Sequence, residues 1–238
     1  MNLKNSIIVA VMKMIKAVLI DIDNTLLDFH KCSDEAMCLA AEEYGIIFPE
    51  NYFEIFTEIN NSLWDKIEKG ELDRQGLFKI RWKLIFEAMG IDADGIAFEE
   101  TFRSNIKSCA IPVDGAMEIL PYLSEKYYVG VASNSEFAQQ EKRLRKAGMF
   151  PFIQSIFTSE EIGFAKPSEG FFAYCKNELP QFEKEEIILI GDSITADVEG
   201  AKNFGFKTCW FNFAKVPDAE CEKADFIVNE LAEIKNFL

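Results

Sequence analysis

Six short apolar runs set the strongest limit on how this chain can fold. The first, Lys16-Ala-Val-Leu-Ile-Asp-Ile-Asp23, is apolar until it ends in carboxylates; the others are Tyr128–Ala132, Ser155–Phe157, Ile187–Ile190, Lys207–Phe211 and Asp225–Val228. Runs of this length without polar alternation read as strands buried on both faces. Helical patterns lie between them. The clearest span Glu136 to Ala147, ended by Gly148 as a C′ residue, and Ser168 to Asn177. Strands alternating with helices predict an α/β fold, a parallel doubly wound sheet covered on both sides to give three layers.

The alternation breaks between the first two runs. Residues 29–110 hold no convincing strand but several helical patterns, including Leu77, Ile80 and Leu84 at i, i+3 and i+7 behind a cap at Asp73. This 82-residue insertion leaves 156 residues outside it, of which 14–28 and 111–238 form the predicted core. An insertion after the first strand sits above the carboxyl ends of the strands, where open α/β sheets bind ligands, and is placed to act as a lid. Pro112 and Gly115 mark the return to the core, and residues 1–13 read as an extension before a natural start at Met14.

Composition removes several classes of function. With 40 acidic against 25 basic residues the net charge is −15, which repels a nucleic acid polymer. The surplus is spread over both parts, −7 in the insertion and −8 outside it, so it is mostly solvated surface. A single histidine, His30, and six cysteines with no C-x-x-C pair make a zinc site improbable. The apolar stretch Ile7–Met12 is too short to span a bilayer and has no cleavage site after it, so a membrane is no partner. The cysteines then read as reduced, core-packed thiols of a cytoplasmic protein. No feature calls for an obligate protein partner.

The polar residues at the strand tips carry the chemistry. In extended chain Asp21 and Asp23 share a face at the end of the first run, with Thr25 two residues on. A lone pair of this kind is usually just solvated, but the fourth run ends alike, in Gly191-Asp-Ser-Ile-Thr-Ala-Asp197. Gly191 permits a tight turn, Asp192 stands at the tip, and Asp197 falls in the first turn of the next helix, where it either joins the cluster or serves the helix N-terminus. Four converging carboxylates need a cation between them, and hard oxygen ligands suit Mg²⁺. Ser133-Asn134 follows the second run and Lys166-Pro167 the third. Each alone reads as a turn or a solvated helix start, but together a hydroxyl, backbone N–H groups and an ammonium are what a phosphoryl group needs.

These motifs, Asp21-Ile-Asp-Asn-Thr25, Ser133-Asn134, Lys166-Pro167 and Gly191–Asp197, resemble in order the four of the haloacid dehalogenase-like (HAD) hydrolase superfamily. The likeness runs from Met14 onward and implies a Rossmann-like core with an α-helical cap at residues 29–110. Asn61-Ser-Leu-Trp64 with Gly70, Ser159–Pro167 and Thr208–Asn212 are similar to the bacterial pyrimidine 5′-nucleotidases that remove non-standard nucleotides.

The resemblance implies a catalytic set: Asp21 as nucleophile forming an aspartyl-phosphate, and Asp23 as acid and then base, with a raised pKa. It also implies Thr25, Ser133 and Lys166 on the phosphoryl oxygens, and Asn134 giving its backbone N–H. Mg²⁺ would be held by Asp21, the backbone carbonyl of Asp23, and Asp192, with Asp197 ligating through water or supporting the site. The substrate would be a small phosphorylated metabolite, a nucleotide above all.

An acid at position 23 favours phosphate ester hydrolysis over dehalogenase or phosphonatase chemistry. Sugar-phosphate phosphatases and phosphomutases share the motifs and stay open as alternatives. A catalytically idle binding or regulatory domain has no use for an acid beside a nucleophile. In the insertion Lys66, Lys69, Arg74, Lys79, Arg81 and Lys83 give +3 over residues 66–83. One of them, or Trp64 by stacking on a base, is a candidate substrate contact; a solvated face and core packing are the plainer readings.

Overall fold

The computed structural model describes residues 15–217 and 223–238. The extension 1–13 and Cys221 lie outside the described residues. In chain order the elements begin with β1 (Ala17–Ile20), α1 (Phe29–Tyr44), α2 (Tyr52–Glu68), α3 (Arg74–Met89), α4 (Gly95–Ile106), α5 (Ala116–Ser124) and β2 (Tyr128–Ser133). There follow α6 (Phe137–Lys146), β3 (Ser155–Thr158), α7 (Ser159–Ile162), α8 (Glu169–Glu178), β4 (Ile187–Gly191), α9 (Gly200–Phe204), β5 (Lys207–Phe211) and β6 (Phe226–Val228). The chain divides into two compact units: the described part of Met1–Phe29 with Ala110–Leu238, and His30–Cys109.

The first unit is built on a six-stranded, all-parallel sheet in the order β3-β2-β1-β4-β5-β6. All six predicted runs form its strands. Successive side chains leave a strand on opposite faces, so a wholly apolar run requires two cores. Both are present. Val18, Ile20, Val131 and Ile190 enter one with Leu120, Leu144 and Leu231, while Ala17, Leu19, Ile187 and Leu189 enter the other with Phe171 and Phe172. Ser168 caps α8, its hydroxyl accepting from the Gly170 N–H, and Gly148 stands just past α6 in the left-handed conformation.

The order 3-2-1-4-5-6 reverses direction between β1 and β4, where doubly wound sheets open a crevice at the carboxyl ends of the strands. Ile20 pairs with Val131 on one side and Ile190 on the other. One residue further along, Asp21, is therefore level with Ala132 and Gly191, beside the reversal point.

The second unit is helical. Asp73 caps α3 as predicted, its Oδ1 accepting from the Gly76 N–H at 2.6 Å. The buried face of α3 is a different one from that predicted: Leu77 is buried but Leu84 is 38% exposed, and the face is Leu77, Arg81, Trp82, Ile85 and Phe86. Trp82 decides this by packing against Phe56, Phe86, Phe98 and Phe102 at centroid distances of 4.3–5.9 Å. Gly95 lets α4 start against α3, since a Cβ there would meet the Lys83 backbone nitrogen at 2.7 Å.

Arg81 departs from the solvated-face reading of the local cations. It is buried and grips both carboxylate oxygens of Glu99, at 2.5 and 3.0 Å. Trp64 is half-buried beside Leu63, Ile67 and Leu77, and the His30 ring meets that of Phe53 edge-on. Cys32, Cys109, Cys175 and Cys209 are buried as expected, but Cys38 is exposed. Among the described residues no helix is long and apolar enough to cross a membrane.

Candidate active site

Asp21 leaves the end of β1 with its N–H donating to the Ile190 carbonyl at 2.8 Å, so the central pairing carries one step past the strand. The chain then folds back sharply. The Leu26 and Leu27 N–H groups both donate to the Ile22 carbonyl, and Asn24 takes a left-handed conformation with φ of 60°. Asparagine tolerates that region better than most side chains, and Asn24 Oδ1 accepts from the Phe29 N–H to close the turn. This turn presents Asp23 and buries Thr25, whose Oγ1 has no hydrogen-bond partner among the described residues. A buried hydroxyl without a partner is costly unless a ligand supplies one.

Lys166 arrives from the loop after α7, through a cis peptide bond to Pro167. Its backbone is held by the side chain of Asn134: the Lys166 N–H donates to Oδ1 and Asn134 Nδ2 donates to the Lys166 carbonyl, both at 2.8 Å. The ammonium uses all three of its donors, on Asp21 Oδ1 at 2.7 Å, Asp197 Oδ1 at 2.6 Å and the Ala132 carbonyl at 2.7 Å. A phosphoryl oxygen would reach Nζ only by replacing one of these.

Asp197 lies in a π-helical turn, Ile194–Glu199, a form of helix often found at functional sites. Its second oxygen accepts from the Ser193 N–H at 3.1 Å. Gly191 makes room for it. A Cβ at 191 would lie 2.2 Å from Asp197 Oδ2, so glycine serves close approach here, and not the tight turn expected from the sequence. Asp192 is fixed through its backbone, its carbonyl accepting from Trp210 Nε1 at 2.9 Å.

One carboxylate oxygen each from Asp21, Asp192 and Asp197 lie within 4.8 Å of one another. Burial, then repulsion from Asp197 and Asp23, against the pull of Lys166, pushes the Asp21 carboxyl up to about 7. Desolvation, then repulsion from Asp21 and Asp197, holds Asp192 well above the usual carboxylate range. Burial works against the Lys166 ammonium, but its two aspartates outweigh it and raise its pKa above that of ordinary lysine. The group is thus three hard oxygen donors short of positive charge, a donor set that fits Mg²⁺.

Asp23 stands apart from this group. Its Oδ1 accepts from Arg143 Nη1 at 2.6 Å and its Oδ2 from Gln140 Nε2 at 2.8 Å. Gln140 Nε2 also donates to Ser133 Oγ at 2.9 Å.

The family model for haloacid dehalogenase-like hydrolases matches residues 15–205. The chain belongs to that family. The hydrolase is 32% identical over 227 residues to the HAD-hydrolase YfnB of Bacillus subtilis, covering 95% of this chain and 97% of YfnB. The crystal structure of YfnB bound to magnesium superposes with a TM-score of 0.87 at 31% identity, over 93% of this chain and 97% of that one. Pyrimidine 5′-nucleotidase PynA of Streptococcus pneumoniae is 31% identical over 83% of this chain and 84% of its own. A glyceraldehyde 3-phosphate phosphatase of Pyrococcus furiosus is 26% identical over 95% and 94%.

In the hydrolase, Asp21, Lys166, Asp192 and Asp197 come together, with Asp23 and Ser133 linked beside them through Gln140. The fourth carboxylate, expected in the cluster, turns to its own donors. Trp64 belongs to the helical unit. Two site residues carry no motif in the sequence: Gln140 and Arg143, both on α6 and both buried. The signal was there, since α6 has too thin an apolar stripe to face a core unless polar side chains share its buried face.

Proposed function

We propose that this hydrolase removes phosphate from small monoesters, pyrimidine nucleoside 5′-monophosphates above all, by a two-step mechanism on Asp21. It is a phosphoric monoester hydrolase. The observation that carries the mechanism is the division of labour between two aspartates two residues apart, one ion-paired to Lys166 and one held separately by Gln140 and Arg143. The likeness to PynA supports the nucleotide, and the likeness to glyceraldehyde 3-phosphate phosphatase keeps sugar phosphates as the comparison to make.

In the first step an Asp21 oxygen attacks phosphorus in line as the ester P–O bond breaks, and Asp23 gives a proton to the leaving oxygen. In the second, Asp23 takes a proton from the water that attacks the aspartyl-phosphate, freeing phosphate and Asp21. Ser133 and Thr25 hydroxyls, the Asn134 backbone N–H and the Lys166 ammonium hold the phosphoryl oxygens. Mg²⁺ would be held by Asp21, Asp192 and the Asp23 carbonyl, with Asp197 supporting the site; when bound it would neutralise the carboxylates and the phosphoryl charge. The unit His30–Cys109 would be the cap that selects substrate and excludes water from the first step, and Trp64 its candidate base contact.

The test is a panel of phosphate monoesters assayed with Mg²⁺. Pyrimidine nucleoside monophosphates are expected to exceed sugar phosphates in kcat/KM by about 10-fold or more, the scale that a few pocket contacts supply. Isomerisation of a glucose phosphate with nucleotides ignored would overturn the nucleotide reading.

The charge on the carboxylates gives a second expectation, for chelator-treated protein. Asp21 binds its proton more tightly when folded than when unfolded, so its contribution to stability is full below the ordinary value of 3.8 and is lost as pH rises through about 7. Urea midpoints of Asp21→Asn should therefore gain on those of the wild type across that window, and Mg²⁺ should narrow the gap. A difference flat in pH would contradict it.

A further inference from the structure

The mechanism leaves unexplained why a guanidinium should be buried beside the half-exposed Asp23. Arg143 has no side-chain exposure, and taking an arginine out of water is costly unless its partner repays it. Its Nη1 donates to Asp23, 120 residues away in sequence, at 2.6 Å. We infer that Gln140 and Arg143 are positioning residues that lock the Asp23 carboxylate in its working orientation and couple it to the phosphate-binding Ser133. The inference rests on the reading of Asp23 as acid and base.

Geometry supports the lock. The backbone at Asp23 is already fixed by the turn around Asn24, so side-chain rotation is the freedom that remains, and one donor on each oxygen removes it. A carboxylate oxygen has two lone pairs, so each keeps one for chemistry. The amide of Gln140 is itself oriented, because its Oε1 accepts from Arg143 Nη1 at 3.0 Å. The opposite orientation would set Oε1 against the carboxylate and the NH₂ against the guanidinium. With Nε2 thus placed, Ser133 Oγ acts as acceptor at 2.9 Å, and its own hydrogen is left to point at a phosphoryl oxygen. Three functional groups, the acid, the amide and the hydroxyl, then move as one. Proton delivery depends steeply on such alignment, since small misplacements of a reacting group cost large factors in rate.

The test compares two substrates with Mg²⁺ present: p-nitrophenyl phosphate, whose leaving group needs little protonation, and a nucleoside 5′-monophosphate, which must expel a strongly basic alkoxide. Each is assayed with wild type, Gln140→Leu, Arg143→Met, Arg143→Lys and Asp23→Asn. The lock predicts that Gln140→Leu and Arg143→Met lower kcat/KM for the nucleotide by about 10²-fold more than for the aryl ester, the lower end of what acid catalysis contributes. Asp23→Asn should show the same bias more strongly, and Arg143→Lys should recover part of it. Added to Asp23→Asn, Gln140→Leu should change the bias no further, because the group it positions is gone. Any loss of phosphate contact through Ser133 falls on both substrates and cancels in the ratio. Equal losses on the two substrates, or none, in Gln140→Leu and Arg143→Met while Asp23→Asn keeps its bias would overturn the lock and leave the mechanism standing. Absence of bias in Asp23→Asn would overturn the role of Asp23 and the lock with it. Should Arg143→Met fail to fold, Gln140→Leu, which keeps the buried cation in place, decides alone.

Discussion

Asp21→Asn should turn over no phosphate ester above background, a loss of about 10⁴-fold or more, as when the nucleophile of a covalent enzyme is removed. The amide is nearly the same size and can still accept from Lys166 Nζ, so the variant should fold. What it lacks is an anionic oxygen able to bond to phosphorus, and with it any route to the aspartyl-phosphate. The check is a single-turnover experiment with labelled substrate, quenched in acid. Wild type should carry acid-stable, base-labile protein-bound phosphate, and the variant none. Full activity in Asp21→Asn would end the covalent reading, whatever the substrate panel shows.

The second large effect is on stability as well as rate. Lys166→Met keeps most of the side chain's length and apolar volume but withdraws the buried cation from between Asp21 and Asp197. Breaking one side of a buried ion pair leaves an uncompensated charge, at a cost of about 3–5 kcal/mol. The loss should be greatest above about pH 7, where Asp21 is ionised, and should shrink toward acid as the carboxylates take up protons. Activity should fall by about 10²–10³-fold, as for loss of one preorganised charge contact to a transition state. Urea unfolding in chelator at several pH values, repeated with Mg²⁺, measures the first effect and steady-state assays the second. Equal stability of variant and wild type in chelator at pH 8 would show that Lys166 does not offset the carboxylate charge.

The strand tips could be found from the chain alone because burial on both faces leaves a strand no polar residues except where it ends. Asp21 and Asp192 close the first and fourth apolar runs, and Ser133 and Lys166 follow the second and third; that β1 and β4 are neighbours, which brings the two aspartates side by side, is seen only in the structure. Other features rest on contacts between distant residues that no local pattern encodes. Nothing near Asn134 says that its amide will clamp the backbone of Lys166. The space kept by Gly191 for Asp197 depends on a π-helical turn, which a residue count along an ordinary helix misses. On α3 the spacing of Leu77, Ile80 and Leu84 suggested one face, but Trp82, larger than any of them, took the other into the aromatic core. Gln140 and Arg143 belong with these features, since the group that buries their polar ends, Asp23, lies 117 and 120 residues away in sequence.

The position of β1 also bears on the order in which the molecule can be assembled. It is the first strand among the described residues, yet both its neighbours, β2 and β4, come from the later part of the chain. On a growing polypeptide it has no strand to pair with until Tyr128 and the residues after it exist, and the site has no Asp192 until β4 is complete. The helical unit, whose contacts are local, can form meanwhile. Asp21 thus stays in water, where its charge is harmless, and meets Asp192 and Asp197 only when the Lys166 that offsets them is already part of the chain.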